Sequence, residues 1–562
     1  MKVLSRITML LVLAVMVWTC NEDEFLTTPP QGALSSDNLS AEEGINAALV
    51  SAYSRVDGWA VDWGIPGTWG TAGSNWIFGS VTSDDTHKGS EPSDNLEVEL
   101  IEKFQWRPSL VDFEGKFIVL YDGIRRANET LSLIAANTDL DQGTRDRLRG
   151  EALFLRGHYH QEAWKMWKNV PYFNEEDTDF RKPNDQDIFP MIVADLEEAA
   201  SLLPATQSEV GRATSGAANA MLGRLHMLNR DFASAKTALD KVTGYELQDC
   251  YHDMFSLAGE NGSEMIFSMQ ASVNDGNPDG DNGNFSQRLA NPHGGSPLGC
   301  CGQHQPTQNL VNAYRVDANG LPLMSNASND NPTPSEPVDP RLDWIAGRDG
   351  VPYLDWGIHE PSWVRDRGYS SQYNPKKFAQ RPDESSNVGW VNTQLSPINV
   401  PIIRYADVIL MLAEIDVENN NLEDARAKVN MIRERAGNCA QGPAPEGLPV
   451  PIDDPAIDYA TYAVGTYDAA WTDQNAAREA VRLERRLELA MEGHRFFDLR
   501  RYGQDYMIST MKAYFEVEDD RRQFLQSRNE PAPRHMLFPI PTGAIQLSTV
   551  NGTPTLRQNE GY

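Results

Sequence analysis

The chain has 562 residues, of which 40% are hydrophobic, so it is long enough to bury a large core and too apolar for a disordered protein. Its formal net charge is −31 at pH 7. Binding to nucleic acid depends on clustered lysine and arginine that neutralise phosphates, and an anionic lipid surface repels an acidic protein. Composition therefore argues against a nucleic-acid partner and against membrane attachment through a basic face.

The N-terminus has the order of residues typical of a secretory leader. Lys2 and Arg6 precede an apolar run that is too short to span a bilayer, and Cys20 follows this run. The arrangement resembles the lipobox of bacterial lipoproteins, in which the cysteine is acylated. Residues 1–19 are therefore predicted to be a lipoprotein signal peptide and Cys20 the lipid anchor; an ordinary leader with a chance cysteine is the alternative.

The residues that follow Cys20 are predicted to hold the protein at a surface without crossing the membrane. The acidic run at residues 21–24 resembles the signal that sends lipoproteins of Bacteroidota to the cell surface. The sequence FLTTPP then reads as an extended tether. Residues 20–40 are therefore interpreted as the lipidated N-terminus and tether of an outer-membrane protein.

Amphipathic helices are predicted in residues 41–250, because apolar residues recur there at three- and four-residue steps. One helix is predicted over residues 41–56, a second over 113–137 and a third over 144–167. Pro171 cannot continue the third helix. Its aromatic and apolar stripe is predicted to be core and comprises Leu153, Phe154, Tyr159, Ala163 and Trp167.

Two stretches have the spacing of a tetratricopeptide helix-turn-helix unit, residues 221–242 and residues 410–437. Small residues at the matched positions let two antiparallel helices approach closely. The sequence therefore predicts a mostly α-helical fold, with a tetratricopeptide-like helical-repeat scaffold. Such units usually bind peptides or pack against their neighbours, and alone they establish no activity.

Residues 251–400 lack helical periodicity and are rich in glycine, proline, asparagine and aspartate. A loop-rich region of this length in a compact chain is usually functional or disordered, and its many aromatic residues argue against disorder. Asp275, Asp279 and Asp281 resemble the start of a calcium-binding loop, but Ser286 stands where that loop carries a bidentate glutamate. A plain turn is favoured, and no cofactor is predicted.

Four cysteines remain after Cys20: Cys250, Cys300, Cys301 and Cys439. An exported chain permits disulfides, and four cysteines allow three full pairings among which spacing does not choose. The adjacent pair either forms a vicinal disulfide or bridges to the two distant cysteines, and free thiols are a further alternative. Zinc is disfavoured because no second Cys/His pair stands at ligand spacing.

The sequence contains no recognisable catalytic motif. A phosphate-binding glycine-rich loop, HExxH, GxSxG and a Cys-His-Asn arrangement are all absent from it. Glu488 and Glu492 lie in an Arg- and Glu-rich helical stretch, where such residues normally form stabilising pairs three or four positions apart. The protein is therefore predicted not to be an enzyme.

Tryptophan supplies the strongest indication of a ligand. Trp59, Trp63, Trp69 and Trp76 alternate with glycines, and residues 353–373 contribute further aromatic side chains at spacings that fit no helical stripe. Flat aromatic faces beside polar groups suit the C–H faces and hydroxyls of a sugar, although about half of these rings are expected in the core. The predicted glycan-binding residues are Trp76, Asp84, Asp85, Trp356, Trp363 and Tyr369.

Several ordered motifs together resemble the SusD/RagB family of outer-membrane glycan-binding lipoproteins of Bacteroidota. Beside the lipobox-like start, they are SDD at residues 83–85, YDGIRRANETL, EALFLRGHYHQEAWKMWKNVPYF, IIRYADVILMLAEI, ERRLELAMEGHRFFDLRRYG and LFPIPTGAI. The resemblance implies four tetratricopeptide-like helix pairs, an irregular ligand-binding face and a SusC-type TonB-dependent transporter as partner. It divides the folded chain into a helical part (41–250), a ligand-binding region (251–400) and a C-terminal part (401–562).

The resemblance favours a binding protein that captures oligosaccharide or polysaccharide at the cell surface and delivers it to the transporter. A surface glycoside hydrolase is the rival hypothesis, and it would need two carboxylates that flank a glycosidic bond. A peptide-binding tetratricopeptide adaptor is a third hypothesis. The sequence does not identify the sugar, its linkage or its length, because aromatic platforms recognise ring faces.

Overall fold

The computed structural model describes residues 41–59, 64–65, 67–278, 280, 282–323, 328–386, 388 and 394–562. Within these ranges the fold is mostly helical, as predicted. The α-helices are α1 (Glu42–Tyr53), α2 (Leu96–Glu102), α3 (Val111–Ala136), α4 (Gln142–Trp167), α5 (Phe189–Leu202), α6 (Ser215–Leu228), α7 (Phe232–Leu239), α8 (Gln308–Ala313), α9 (Arg341–Ile345), α10 (Tyr405–Glu418), α11 (Leu422–Ala436), α12 (Gln474–Leu489), α13 (Arg495–Tyr502), α14 (Gln504–Glu518) and α15 (Thr542–Leu547).

The strands are short and pair two by two. They are β1 (Thr86–Gly89), β2 (Met265–Met269), β3 (Gln303–Pro306), β4 (Pro337–Val338), β5 (Ala346–Gly347), β6 (Asn374–Pro375), β7 (Val400–Arg404), β8 (Ala440–Gln441), β9 (Pro449–Val450), β10 (Thr461–Tyr462), β11 (Thr549–Val550) and β12 (Thr553–Pro554). The β4–β10 pair is parallel. The pairs β1–β3, β2–β7, β5–β6, β8–β9 and β11–β12 are antiparallel.

The helices of the N-terminal part pack in chain order, α3 on α4, α4 on α5 and α5 on α6. Helix α4 begins where the side chain of Asp141 accepts a hydrogen bond from the backbone N–H of Thr144, a favourable N-cap. The apolar stripe predicted for this helix is confirmed as core, because all five of its side chains are fully buried: Leu153, Phe154, Tyr159, Ala163 and Trp167. Burying side chains of this size is the main stabilising contribution to such a fold.

Both predicted repeat units form helix pairs, α6 with α7 and α10 with α11. Asp231 caps α7 by accepting a hydrogen bond from the N–H of Ser234. A Cβ atom at Gly223 would lie 2.4 Å from the side chain of Leu239, so the two helices can approach this closely only because residue 223 is glycine. The tetratricopeptide-like scaffold is confirmed.

The three predicted parts of the folded chain share a single large hydrophobic cluster. This cluster joins Ile45 of α1, Trp344 of α9 and Ile540 near the C-terminus. Strand β2, from the loop-rich region, pairs with β7, which leads directly into α10. The loop-rich region is thus packed on the helical scaffold, while the exact boundaries of the three parts stay a prediction.

A buried ion network, which we call the central ion network, joins the C-terminal part to the loop-rich region. Glu488 of α12 is fully buried and pairs with Arg341 at 3.0 Å and Arg404 at 2.6 Å, and also with Arg435. Glu492 pairs with Arg404 at 2.8 Å. Although burial alone raises the pKa of a carboxyl group, these guanidinium charges hold the pKa of Glu488 below its usual range. Glu488 and Glu492 therefore pair with residues of other elements, and not only with residues of their own helical stretch.

The structure contains two disulfides, and it settles the pairing that the sequence left open. Cys250 bonds to Cys439, which joins the start of the loop-rich region to the segment after α11. Cys300 bonds to its neighbour Cys301 in a vicinal disulfide. The first bridge closes a long loop and the second closes none, so only the first can greatly restrict the unfolded chain.

Candidate functional site

The predicted ligand residue Trp76 is buried, with 3% of its surface exposed. It begins a π-helical turn, Trp76–Val81, in which every residue is buried. Its ring lies against that of His304, with centroids 5.5 Å apart. A ring covered by protein on both faces offers no surface to a sugar, so the prediction that Trp76 is a stacking platform is corrected.

Asp84 and Asp85 are also buried, and both are ion-paired. Asp84 accepts hydrogen bonds from Arg495 at 2.8 and 3.0 Å, and Asp85 accepts one from Arg486 at 2.7 Å. Burial alone would raise the pKa of Asp84, but the charges of Arg486 and Arg495 hold it below its usual range. The carboxylates fasten the SDD segment to α12 and α13, which corrects the prediction that they bind sugar hydroxyls.

The later aromatic residues differ in exposure. Trp363 is 5% exposed and lies against Tyr353 and His359 at centroid distances of 5.7 and 5.4 Å. Tyr369 is 9% exposed, and its hydroxyl donates a hydrogen bond to Glu99 at 2.5 Å. Neither ring presents a free face, which corrects both predictions.

Trp356 is only partly buried. Its indole N–H donates to the carbonyl oxygen of Gln380 at 2.8 Å, which fixes the orientation of the ring. The predicted role of Trp356 in binding glycan stays a prediction.

Two other tryptophans of the glycine-rich stretch are only partly buried, and both pack against Phe285. The ring centroid of Trp59 is 5.1 Å from that of Phe285 in an edge-on arrangement, and Trp69 stacks on Phe285 at 5.6 Å. The guanidinium of Arg288 lies over the ring of Trp59, 5.2 Å from its centroid. We call Trp59, Trp69, Phe285 and Arg288 the tryptophan cluster. Trp63 lies outside the described residues.

A groove of about 590 Å³ adjoins the tryptophan cluster. Trp59 forms part of its wall, with Tyr53 and strand β2. Gln270 and Asn282 are exposed and add amide groups, which already hydrogen-bond to Asn261 and Asp275 respectively, and Asp57 adds a carboxylate. Apolar walls with a few convergent polar groups are typical of a small-ligand site.

Polar contacts in the wall of the groove fix the backbone of Trp59. Arg55 donates a hydrogen bond to the carbonyl oxygen of Trp59 at 2.8 Å and pairs with Asp122 of α3 at 2.8 Å. Burial lowers the pKa of Arg55, and its pairing with Asp122 opposes this shift. The N–H of Trp59 donates to the carboxylate of Asp57 at 2.7 Å. These bonds fix the backbone of Trp59 and thereby the position of its ring.

Gly58 lies against Thr71 and Ala72, next to Trp59 in the chain. Gly58 has φ +84°, and a Cβ atom there would lie 2.1 Å from the carbonyl oxygen of Thr71, so only glycine fits. The hydroxyl of Thr71 donates to the carbonyl oxygen of Gly58 at 2.6 Å. The ammonium of Lys116 donates to the carbonyl oxygen of Ala72 at 2.8 Å, and burial lowers the pKa of Lys116 to about 7.

The structure offers no metal centre in its described part. No group of three or more His, Cys, Asp and Glu side chains is placed there to hold a metal ion. In the segment that resembles a calcium loop, Asp275 accepts hydrogen bonds from Ser272 and Asn282, each at 2.6 Å, and from the N–H of Asn277. Asp279 and Asp281 lie outside the described residues.

The glycine-rich stretch that the sequence singles out contains Trp59 and Trp69 of the tryptophan cluster as well as the buried Trp76. Trp59 and Trp69 belong to the pattern of tryptophans that alternate with glycines. Nothing in their spacing distinguishes them from Trp76. Gln270, Asn282 and Arg288 were missed. They belong to the region predicted to bind ligand, but they match no motif that would single them out.

The chain thus combines a helical-repeat scaffold with loops that form a groove lined partly by aromatic side chains. A family model described as "SusD family" matches residues 263–562, and one described as "Starch-binding associating with outer membrane" matches residues 70–227. The chain therefore belongs to the SusD family, which confirms the resemblance found in the sequence. Across the described residues, no helix is both long and apolar enough to cross a membrane.

Relatives of the chain extend over nearly its whole length. The SusD-like protein P25 of Formosa agariphila is 22% identical over 97% of this chain and 98% of that protein. A SusD superfamily protein from Bacteroides vulgatus has a TM-score of 0.67 at 21% identity, covering 93% of this chain and 99% of its own. Surface glycan-binding protein A from Bacteroides thetaiotaomicron, in complex with laminarihexaose, has a TM-score of 0.63 at 21% identity, with coverage of 92% and 99%. These structures share the fold of this chain.

Proposed function

We propose that this protein is a surface glycan-binding protein that captures oligosaccharide at the tryptophan cluster and its groove. The observation that carries the proposal is the pair Trp59 and Trp69, two partly buried tryptophans packed on Phe285, of which Trp59 lines the groove with Gln270 and Asn282. A pyranose ring has an apolar C–H face that stacks on an indole, and its hydroxyls exchange hydrogen bonds with amides and carboxylates. The solved relative in complex with laminarihexaose supports a saccharide as ligand, while the sugar bound here is open.

The function is tested by screening the purified protein against a glycan array that includes laminarihexaose, followed by calorimetry with the tightest binder. We expect binding without cleavage, so incubation with the protein should release no new reducing ends. The carboxylates of Glu488 and Glu492 are committed to buried ion pairs, which supports this expectation. New reducing ends in the incubated sample would instead establish the rival function, a surface glycoside hydrolase.

The bound glycan would then be passed to a SusC-type TonB-dependent transporter. The family resemblance is the basis for this partner, and the helix pairs offer a rigid scaffold on which such a partner can dock. Affinity purification of the protein from native outer membrane is expected to recover a TonB-dependent barrel protein. Recovery of no such protein under conditions that keep the membrane complex intact would contradict the proposed delivery step.

The lipid anchor is proposed at Cys20, which lies outside the described residues. Its basis is the leader sequence and the acidic run that follows the cysteine. Cys20→Ala is expected to move the protein from the membrane fraction to the soluble fraction, because one or more acyl chains supply the attachment. A membrane-bound variant, together with an intact mass of the wild type that shows no lipid, would contradict the anchor.

A further inference from the structure

A second pocket, distinct from the tryptophan cluster and its groove, lies where four helices meet. Its volume is about 460 Å³. It is bordered by the ends of α4 and α6, by α13 and by the start of α14. Trp164 and Phe497 contribute apolar wall, and the charged residues of the lining are all basic. We call this space the basic pocket.

The charge of the basic pocket is opposite to that of the protein, whose formal net charge is −31. Five of its lining residues are lysine or arginine, and none is aspartate or glutamate. Two of the five already have carboxylate partners: Lys165 pairs with Glu162, and Arg501 pairs with Glu414, at 2.6 and 2.7 Å. The remaining three, which we call the open cations, have no carboxylate partner among the described residues: Lys168, Arg230 and Arg500.

Arg500 is the most confined of the open cations. Its Nη2 donates to the carbonyl oxygen of Lys165 at 2.9 Å, but its Nε and Nη1 are buried without a hydrogen-bond partner in the described part of the chain. Its guanidinium lies 5.5 Å from the ring centroid of Phe497. Burial lowers the pKa of Arg500 to about 10. A cation without a counter-charge in apolar surroundings is stabilised by a neighbouring anion.

The other two open cations are exposed and reach the mouth of the pocket. Arg230 uses Nη1 to donate to the carbonyl oxygens of Arg501 and Tyr502, at 2.9 and 3.1 Å. The ammonium of Lys168 lies 5.8 Å from the ring centroid of Trp164. Both side chains thus carry their charge at the opening, where a ligand can contact them directly.

One helix N-terminus faces the pocket, beside the C-terminal ends of α4, α6 and α13, whose last carbonyl oxygens carry the opposite potential. Helix α14 has 15 residues and starts directly after Gly503, which lines the pocket. Its N-cap has no side-chain hydrogen bond, so the first N–H groups of the helix are not capped. Asp505 in the first turn is exposed and does not belong to the lining. The N-terminus of a helix favours a bound anion.

We propose that the basic pocket binds a small oxyanion, the carboxylate or sulfate group of an acidic sugar. Lys168 and Arg230 would contact the anion directly. Arg500, which is more confined, would attract the anion through its positive charge. The apolar wall leaves room for the ring that carries the anionic group. This site goes beyond the proposed function, because the tryptophan cluster recognises ring faces and requires no charge on the sugar.

The proposal is tested by calorimetric titration of the purified protein at low ionic strength with three probes: glucuronate, inorganic sulfate and glucose. Glucuronate tests the carboxylate group and inorganic sulfate tests the sulfate group. Glucose is the neutral control. We expect at least one anion to bind, with an affinity that falls as salt is added, and glucose not to bind at this pocket. If neither anion binds more tightly than glucose, the proposal is overturned.

Variants assign the binding to the pocket. Lys168→Gln removes an exposed charge without disturbing the core, and it is expected to weaken anion binding about tenfold, the loss typical of one charge-assisted hydrogen bond. Lys241→Gln is the matched control, because Lys241 is exposed and does not line the pocket. Trp59→Ala should leave anion binding unchanged, because Trp59 belongs to the tryptophan cluster. Loss of glycan binding at that cluster can then be told apart from loss of anion binding at the basic pocket. Equal affinities for Lys168→Gln and wild type, or an equal loss in Lys241→Gln, would overturn the assignment.

Discussion

Glu488→Ala is expected to lower the free energy of unfolding by about 3–5 kcal/mol, the usual loss when one partner of a buried ion pair is removed. Glu488 is fully buried, and three arginines face it. Without it, Arg341, Arg404 and Arg435 keep their charges in a desolvated site with one counter-charge fewer. Denaturant unfolding followed by circular dichroism measures the change as a lower midpoint concentration.

The matched control for this variant is Glu129→Ala. Glu129 also pairs with an arginine, Arg125, but both side chains are more than half exposed. Exposed pairs contribute little because solvent screens them, so the unfolding midpoint of this variant should stay close to that of the wild type. If Glu488→Ala unfolds at the same midpoint as Glu129→Ala, the central ion network does not stabilise the fold.

The double variant Cys250→Ser and Cys439→Ser is expected to lose ~5 kcal/mol of stability, the chain-entropy estimate for a loop of this length. The bridge joins cysteines that are 189 positions apart, so it removes much of the freedom of the unfolded chain. Denaturant unfolding of the oxidised protein and of the variant measures the difference.

The vicinal pair provides the control for this experiment. Cys300 and Cys301 are neighbours in sequence, so replacing both with serine opens no loop of the unfolded chain. We expect a smaller change in the unfolding midpoint than for the Cys250 and Cys439 variant. An equal or larger change would show that loop closure is not what makes the long-range bridge stabilising.

The helical scaffold was predictable from the sequence because its signals are local. Periodicity located α1, α3 and α4, and repeat spacing located both helix pairs. The Arg- and Glu-rich helical stretch that contains Glu488 and Glu492 divides into two helices, α12 and α13. Met491 takes φ +67° between these helices, and Glu492 in the same break joins the central ion network.

The candidate site was less predictable because it depends on contacts between distant parts of the chain. Asp84 pairs with Arg495 across 411 positions, and no local pattern indicates that this carboxylate is buried. Trp59 and Trp76 stand in the same glycine-rich stretch, yet the π-helical turn directs only Trp76 into the core. Which ring remains accessible is decided by packing against Phe285 and His304, both more than two hundred residues further along the chain.

The most direct test of the account is to titrate the tightest glycan from the array into the wild type, Trp59→Ala, Trp69→Ala and Phe180→Ala. Phe180 is 68% exposed and does not line the groove, so its variant controls for the loss of an exposed aromatic ring. We predict that each tryptophan variant weakens binding by roughly 1–3 kcal/mol, the scale of stacking on an aromatic side chain, and that Phe180→Ala binds as the wild type does. Unchanged affinity in a folded variant lacking both Trp59 and Trp69 would contradict the proposed site.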